Sequence, residues 1–321
     1  MRRIACLLLC LSLLLVQVSA ARPKSLEETL SQFISENGLT EENFSVSYFN
    51  AGAEEEYQYN ETGFFPAGQV WKLPLHMYYC QQESLGAYDP PADNPKFVYT
   101  IEGKTLEECR VESILRDNDE VTEHMRRTVG SMSQFQNTVN DRFGRAADPP
   151  AEFLTGTWYS AEFLMNCLKE LSRNSDVYGE LMRNFAMVET SDAFNGYTRP
   201  YAVTQIRGEE DGMICAVAEV SAPSPYLIAA FASEEAGGDQ LLADLNTLIC
   251  TYVEEQAGVD EKSTPARTAD NRRDSDLQVA AAEKEPVGQW IGIALGGAAA
   301  LALLIGLIVW LCRHFSGKRE E

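Results

Sequence analysis

The chain has 321 residues, 45% of them hydrophobic, and its 48 acidic residues against 26 basic ones give a formal net charge of −22. This charge argues against nucleic acid as a partner, because affinity for nucleic acid comes from neutralising phosphates with Lys and Arg. The hydrophobic content excludes a chain that is disordered throughout. The three histidines are too few and too scattered for a metal site, and we predict neither a metal nor another cofactor.

Residues 1–20 are typical of a secretory signal peptide. Arg2 and Arg3 give a positive start, residues 4–16 are apolar, and small residues precede a predicted cleavage after Ala20. An uncleaved anchor is the alternative. Either form predicts export of the chain that follows.

Residues 25–256 are predicted to form one extracellular domain. A capping box at Ser25 begins the first helix, Gly38 ends it, and a hairpin of strands follows. Helices inserted between two halves of an antiparallel sheet predict an α/β (α+β) sandwich with an all-helical subdomain. The helices are predicted over 69–83, 105–115, 119–129, 132–143, 160–172, 175–187 and 237–255, and the later strands over 200–206, 213–221 and 225–233.

The last part of the chain predicts a membrane anchor. Residues 257–289 are polar and nearly free of aromatic and branched apolar residues, which predicts a disordered stalk. Residues 290–312 carry no charge, and at a rise of about 1.5 Å per residue they can span a hydrocarbon core of about 30 Å. Basic residues follow at once, so residues 313–321 are predicted to be a cytoplasmic tail. The chain is therefore expected in the cell membrane as a single-pass protein with its main domain outside.

Small residues at the start of the predicted membrane helix leave one partner open. Gly288, Gly292 and Gly296 are spaced four apart and would let two such helices approach closely. Small residues are also common in membrane helices without any such role. Dimerisation through these glycines therefore stays one of two interpretations.

Three short motifs, in order along the chain, carry a resemblance to a known family. Residues 64–75 read Phe-Phe-Pro-Ala-Gly-Gln-Val-Trp-Lys-Leu-Pro-Leu, residues 116–118 read Arg-Asp-Asn, and residues 206–208 read Ile-Arg-Gly. At these places the class A β-lactamase and penicillin-binding-protein-like serine hydrolases have Pro-Ala before Ser-x-x-Lys, then Ser-Asp-Asn, then Lys-Thr-Gly. The chain resembles this family over most of residues 25–255, which implies a β-lactamase/transpeptidase-like fold.

The same resemblance implies a degenerate catalytic site. Gln69 stands at the nucleophile position, and a carboxamide cannot form an acyl-enzyme. Arg116 stands at the proton-shuttle serine and Ile206 at the strand lysine, while the loop pattern that carries the deacylating glutamate is broken at residues 152–155. Lys72, together with Asn118 and Gly208, matches the family. The sequence therefore predicts a pseudoenzyme that acts as a cell-surface binding or scaffold module.

Three roles are open for the residues that remain at this site. Lys72 would be a buried, paired lysine that holds Asn118 across the cleft, or Gln69 and Arg116 would form a hydrogen-bonded plug. Alternatively Lys72, Arg116 and Arg207, with Asn118, would bind a carboxylate such as the terminus of a cell-wall peptide or of a protein.

Further expectations concern cysteines and rival functions. Some members of the family have a disulfide between the two corresponding helices, so the resemblance implies a Cys80–Cys109 bond. One rival function is an active serine hydrolase with a displaced nucleophile such as Ser113 or Thr204. A second rival is an unrelated α+β adhesion domain in which the motif matches are coincidence.

Overall fold

A computed structural model of the protein describes residues 24–144, 148–188, 193–195 and 201–259. The helices are α1 (Leu26–Glu36), α2 (Lys72–Ser84), α3 (Leu106–Leu115), α4 (Asp119–Val129), α5 (Met132–Val139), α6 (Ala151–Thr155), α7 (Ala161–Arg173), α8 (Ser175–Ala186) and α9 (Gly238–Gln256). The strands are β1 (Phe44–Asn50), β2 (Glu55–Tyr59), β3 (Phe64–Pro66), β4 (Thr100–Ile101), β5 (Lys104–Thr105), β6 (Trp158–Ser160), β7 (Val203–Glu210), β8 (Met213–Val220) and β9 (Tyr226–Ser233). A 3₁₀ turn, Gly68–Trp71, leads directly into α2.

Five strands form one antiparallel sheet in the order β2-β1-β9-β8-β7. The first hairpin and the last three strands meet at the centre, where Tyr48 on β1 pairs with Ile228 on β9. The helices α2 to α8 lie in the sequence between these two halves, which confirms the predicted α+β architecture. The insertion also holds two short strand pairs, β3 with β6 and β4 with β5, which the sequence analysis did not predict.

The central strands are buried on both faces, and the alternation of their side chains separates two cores. On β8, Cys215 and Val217 pack with the inserted helices. Their neighbours Ile214, Ala216 and Ala218 pack with α1 and α9. Burial of both faces explains why β8 and β9 read as continuous apolar runs instead of an alternating pattern.

Several predictions concern residues outside those that the structure describes. These are the signal peptide over 1–20, the stalk beyond residue 259, the membrane helix over 290–312 and the tail over 313–321. The glycines at 288, 292 and 296 lie outside as well. Among the helices that the structure does describe, none has the length and apolar character needed to cross a membrane.

The disulfide implied by the resemblance is wrong for this structure. Cys80 and Cys109 are both free and buried. The sulfur of Cys109 lies 3.9 Å from the carbonyl oxygen of Lys104, at the beginning of α3. Burial raises the pKa of the Cys80 thiol to about 11, so it is a protonated, buried side chain at neutral pH.

Candidate functional site

A cavity of about 350 Å³ lies where α2 begins, where α3 meets α4, where α8 ends and beside β7. All three motif positions contribute to its wall, so the fold brings together segments more than forty residues apart in the sequence. The polar wall consists of Gln69, Lys72, Ser113, Asp117, Gln205 and Arg207. The apolar wall consists of Ile114, Leu115, Phe185, Val188 and Ile206.

Two glycines let the turn before α2 lie against the backbone of β7. A β-carbon added to Gly208 would lie 2.1 Å from the carbonyl oxygen of Ala67 and 2.6 Å from the nitrogen of Gln69. Gly68 adopts a φ of 51°, in the left-handed region that favours glycine. Its amide donates to the carboxylate of Glu210 on β7 at 3.2 Å. These contacts fix the position of Gln69 at the edge of the cavity.

Gln69 occupies the position at which the resemblance places a nucleophile. Its side chain is part of the cavity wall. The Oε1 atom is buried and has no hydrogen-bond partner among the described residues. A carboxamide has no hydroxyl that a base could activate, so this position cannot supply acyl transfer.

Lys72 is a buried lysine whose ammonium forms ion pairs with two aspartates. The side chain is 5% exposed, and Nζ lies 2.5 Å from Oδ1 of Asp117 and 3.0 Å from Oδ1 of Asp119. Nζ also donates to the carbonyl oxygen of Ser113 at 3.4 Å. A buried ammonium needs such partners, because desolvation of an unpaired charge costs several kcal/mol. Lys72 is therefore paired, as one interpretation expected, but with aspartates.

Asn118 has a different role from the one expected in that interpretation. Its Oδ1 accepts from the amide of Val121 at 3.2 Å and caps the N-terminus of α4. Its Nδ2 donates to Glu112 at 3.3 Å. Asn118 does not line the cavity.

The two predicted arginines are both ion-paired. Arg116 is exposed, pairs with Glu112 at 2.5 Å and is not part of the cavity wall. Arg207 is in the wall, and it donates to both oxygens of Asp239 at 2.8 and 2.7 Å and to Glu209 at 2.8 Å. Hydrogen bonds to Asp239 raise the pKa of Arg207 above its usual range. Lys72 and Arg207 therefore border one cavity, whereas Arg116 lies apart from it.

A buried polar network beside the cavity was missed in the sequence analysis. The hydroxyl of Ser113 lies 2.9 Å from Nε2 of His76 and 2.6 Å from Oγ1 of Thr122. Burial, followed by the charges of Arg110 and Lys72, lowers the pKa of His76 to about 3, so the imidazole is neutral at pH 7. Its Nδ1 is buried without a partner in the described part of the chain. The signal available in the sequence was the spacing of four residues between Lys72 and His76, which places both on one helix face.

Two further positions contribute nothing to the cavity. Thr204 lies on β7 opposite Glu219, but it is not a wall residue. Glu152 lies on α6, is exposed and is not a wall residue either. The wall residues therefore include no carboxylate from residues 144–160, the segment in which the resemblance would place a deacylating glutamate.

Comparison with known proteins identifies the fold. No family model matches the chain, and no curated protein matches its sequence. Solved structures do match: PBP-A has a TM-score of 0.58 at 13% identity and covers 73% of this chain and 99% of its own. The β-lactamase from Sphaerobacter thermophilus DSM 20745 has a TM-score of 0.54 at 15% identity, with 72% of this chain and 97% of its own covered. An ancestral class A β-lactamase has a TM-score of 0.56 at 13% identity, with coverage of 71% and 99%.

The described domain therefore has the β-lactamase/transpeptidase-like fold. This confirms, at the level of fold, the resemblance that the three motifs indicated. The five-stranded antiparallel sheet with helices inserted between its two halves agrees with it.

Proposed function

We propose that the protein is a membrane-anchored, extracellular binding module that has the β-lactamase fold and lacks acyl-transfer activity. The observation that carries the proposal is Gln69 in the wall of the cavity, at the position where the motif resemblance places the nucleophile. The other positions support it, because Arg116 is ion-paired outside the cavity and the ammonium of Lys72 is held by two carboxylates. A fold and the reaction it hosts are separable.

An open cavity favours binding over a purely structural role. A volume of about 350 Å³ lies within the range of small-molecule sites, about 300–1,000 Å³, and mixed apolar and polar walls are typical of them. A plug formed by Gln69 and Arg116 is not supported, since Arg116 bonds to Glu112. The membrane anchor and the extracellular location rest on residues 1–20 and 290–312 of the sequence.

Covalent labelling tests the loss of acyl transfer. The full chain in detergent is incubated with a fluorescent penicillin, and adducts are measured by gel fluorescence and intact mass. We expect no adduct, because Gln69 offers no nucleophilic oxygen. An active class A β-lactamase treated in parallel is the control for the probe. A stoichiometric penicilloyl adduct on the wild-type chain would contradict the proposal.

A second candidate function is a serine hydrolase that uses Ser113. The observation that favours it is the 2.9 Å contact between the hydroxyl of Ser113 and Nε2 of His76. Against it, Ser113 is 0% exposed, and a nucleophile has to reach its substrate. A fluorophosphonate probe distinguishes the two functions: labelling that is lost in Ser113→Ala but kept in Thr204→Ala would establish the second candidate.

A further inference from the structure

The two cations in the cavity wall, Lys72 and Arg207, are outnumbered by the carboxylates that pair with them. Lys72 faces two carboxylates, those of Asp117 and Asp119. Arg207 also faces two, those of Glu209 and Asp239. Each cation at the cavity is thus opposed by two anions, inside a chain whose overall charge is −22. Asp117 is the carboxylate in the cavity wall, and Asp119, Glu209 and Asp239 are ion-pair partners of the two wall cations without lining the cavity themselves. The two cations and their four partners together carry an excess of negative charge, which disfavours a carboxylate ligand and favours a cation.

Asp117 is the carboxylate best placed to receive a ligand. It lines the cavity, its side chain is 68% exposed, and its Oδ1 takes the contact with Lys72. No other hydrogen bond to its carboxylate is present within the described ranges, so Oδ2 has room for a donor. Its φ of 49° holds it at the junction between α3 and α4.

The same cavity offers apolar contacts. Ile114 and Leu115 come from the end of α3, Phe185 from the end of α8, and Ile206 from β7. Side chains of this kind bind the body of a ligand by removing apolar surface from water. The cavity wall therefore combines the carboxylate of Asp117 with an apolar surface.

We infer that the cavity binds a small amphipathic amine, with its ammonium on the carboxylate of Asp117 and its apolar body against Phe185 and Ile206. This inference rests on the proposed function as a binding module and names the ligand class for it. It replaces the carboxylate ligand that the sequence suggested, because the cations on which that ligand depended are each paired with carboxylates.

Three probes with one skeleton and different charges test the inference. The full chain is placed in nanodiscs of zwitterionic lipid, and 2-phenylethylamine, 2-phenylethanol and 3-phenylpropionate are titrated by calorimetry at pH 7, with empty nanodiscs as the blank. We expect the amine to bind at least about tenfold more tightly than the propionate. The difference should shrink with added salt, which screens these charges. Tighter or equal binding of the propionate, or binding of none of the three, would overturn the inference.

A matched pair of variants assigns the effect to Asp117. Asp117→Asn removes the charge and keeps the backbone, since Asn tolerates a left-handed φ. We expect it to weaken the amine by about fivefold and to leave the neutral alcohol unchanged, which also shows that the cavity is intact. Asp176→Asn, in the first turn of α8 and at the opposite end of that helix from Phe185, should change neither. An unchanged amine affinity in Asp117→Asn overturns the inference, whereas a penicillin adduct overturns the proposed function instead.

Discussion

Lys72 shows how one buried charge depends on its neighbours. Its side chain is 5% exposed, but the carboxylates that pair with it, Asp117 and Asp119, are 68% and 69% exposed. The two carboxylates therefore stay hydrated, and the ammonium of Lys72 is the charge that is removed from water. This lowers the desolvation cost relative to a pair in which both charges are buried. In the 3₁₀ turn just before α2, Gln69 has no hydroxyl, so Lys72 has no nucleophile to activate at this position. The chemistry of the site is decided by these two side chains together.

His76 predicts a loss of stability in acid. Its pKa in the folded protein is about 3, compared with an ordinary value of 6.5. Below pH 6.5 the unfolded chain binds a proton that the folded chain refuses until about pH 3, so stability is fully present above 6.5 and is lost as the pH falls. The contribution is about 1.4 kcal/mol per pH unit within that window.

Urea unfolding of the full chain at several values between pH 7 and 4.5 measures this effect as the slope of the unfolding free energy against pH. His76→Gln should flatten the slope by about that amount. Ser113→Ala removes the hydrogen bond and keeps the imidazole, so it should lower stability but retain the slope. Equal slopes for the wild type and His76→Gln would show that the imidazole is not the titrating group.

Among the elements, the contact between β7 and the turn before α2 matters most for the site. Gly208 and Gly68 are the two places where the backbones approach too closely for a side chain. Because β7 is an edge strand of the sheet, its free edge is available to hold this turn. The start of α2 is therefore attached to the sheet, and the cavity forms between them.

Gly208→Ala should destabilise the protein by about 2 kcal/mol or more, because the new methyl group would meet backbone atoms that cannot rotate away. Gly179→Ala is the matched control. Gly179 lies within α8, where an added β-carbon has its nearest neighbour at 3.9 Å, and the change should stabilise the helix by about 1 kcal/mol. Thermal unfolding of both variants gives the comparison, and a Gly208→Ala variant as stable as the wild type would contradict this account of the contact.

On the scale of the whole molecule, the sheet is a partition between two cores. One face carries the inserted helices α2 to α8 and the cavity, and the other carries α1 and α9. Both ends of the domain, α1 and α9, thus lie on the face away from the cavity.

The predicted anchor gives an expected outcome in cells. The full chain should remain with membranes after an alkaline carbonate wash. A chain that ends after residue 259 should be released outside the cell, because it keeps the predicted export signal and loses the predicted membrane span, residues 290–312. Added protease should digest the domain in intact cells and spare a tag at residue 321. Retention of the shortened chain in membranes would contradict a single C-terminal anchor.

Much of the fold was determined by local sequence. The capping box at Ser25 and the caps at Thr105 and Asn118 fix where three helices begin, through contacts three residues away. The apolar pattern located β8, β9 and α9 within a few residues. The pairs β4–β5 and β3–β6 were missed because strands of two or three residues are too short to show a periodic pattern.

The site was decided by tertiary structure. The sequence by itself determined that Gln69 stands where the resemblance places a nucleophile, and that this side chain has no hydroxyl. It could not determine that Lys72 pairs with Asp117, forty-five residues away, or that Arg116 turns to Glu112 instead of the cavity. Charge count is a property of the sequence, but charge pairing depends on distances of a few ångströms that only packing sets. Of the three cations that suggested an anion site, Lys72 and Arg207 each pair with two carboxylates in the folded chain, and Arg116 pairs with Glu112 outside the cavity.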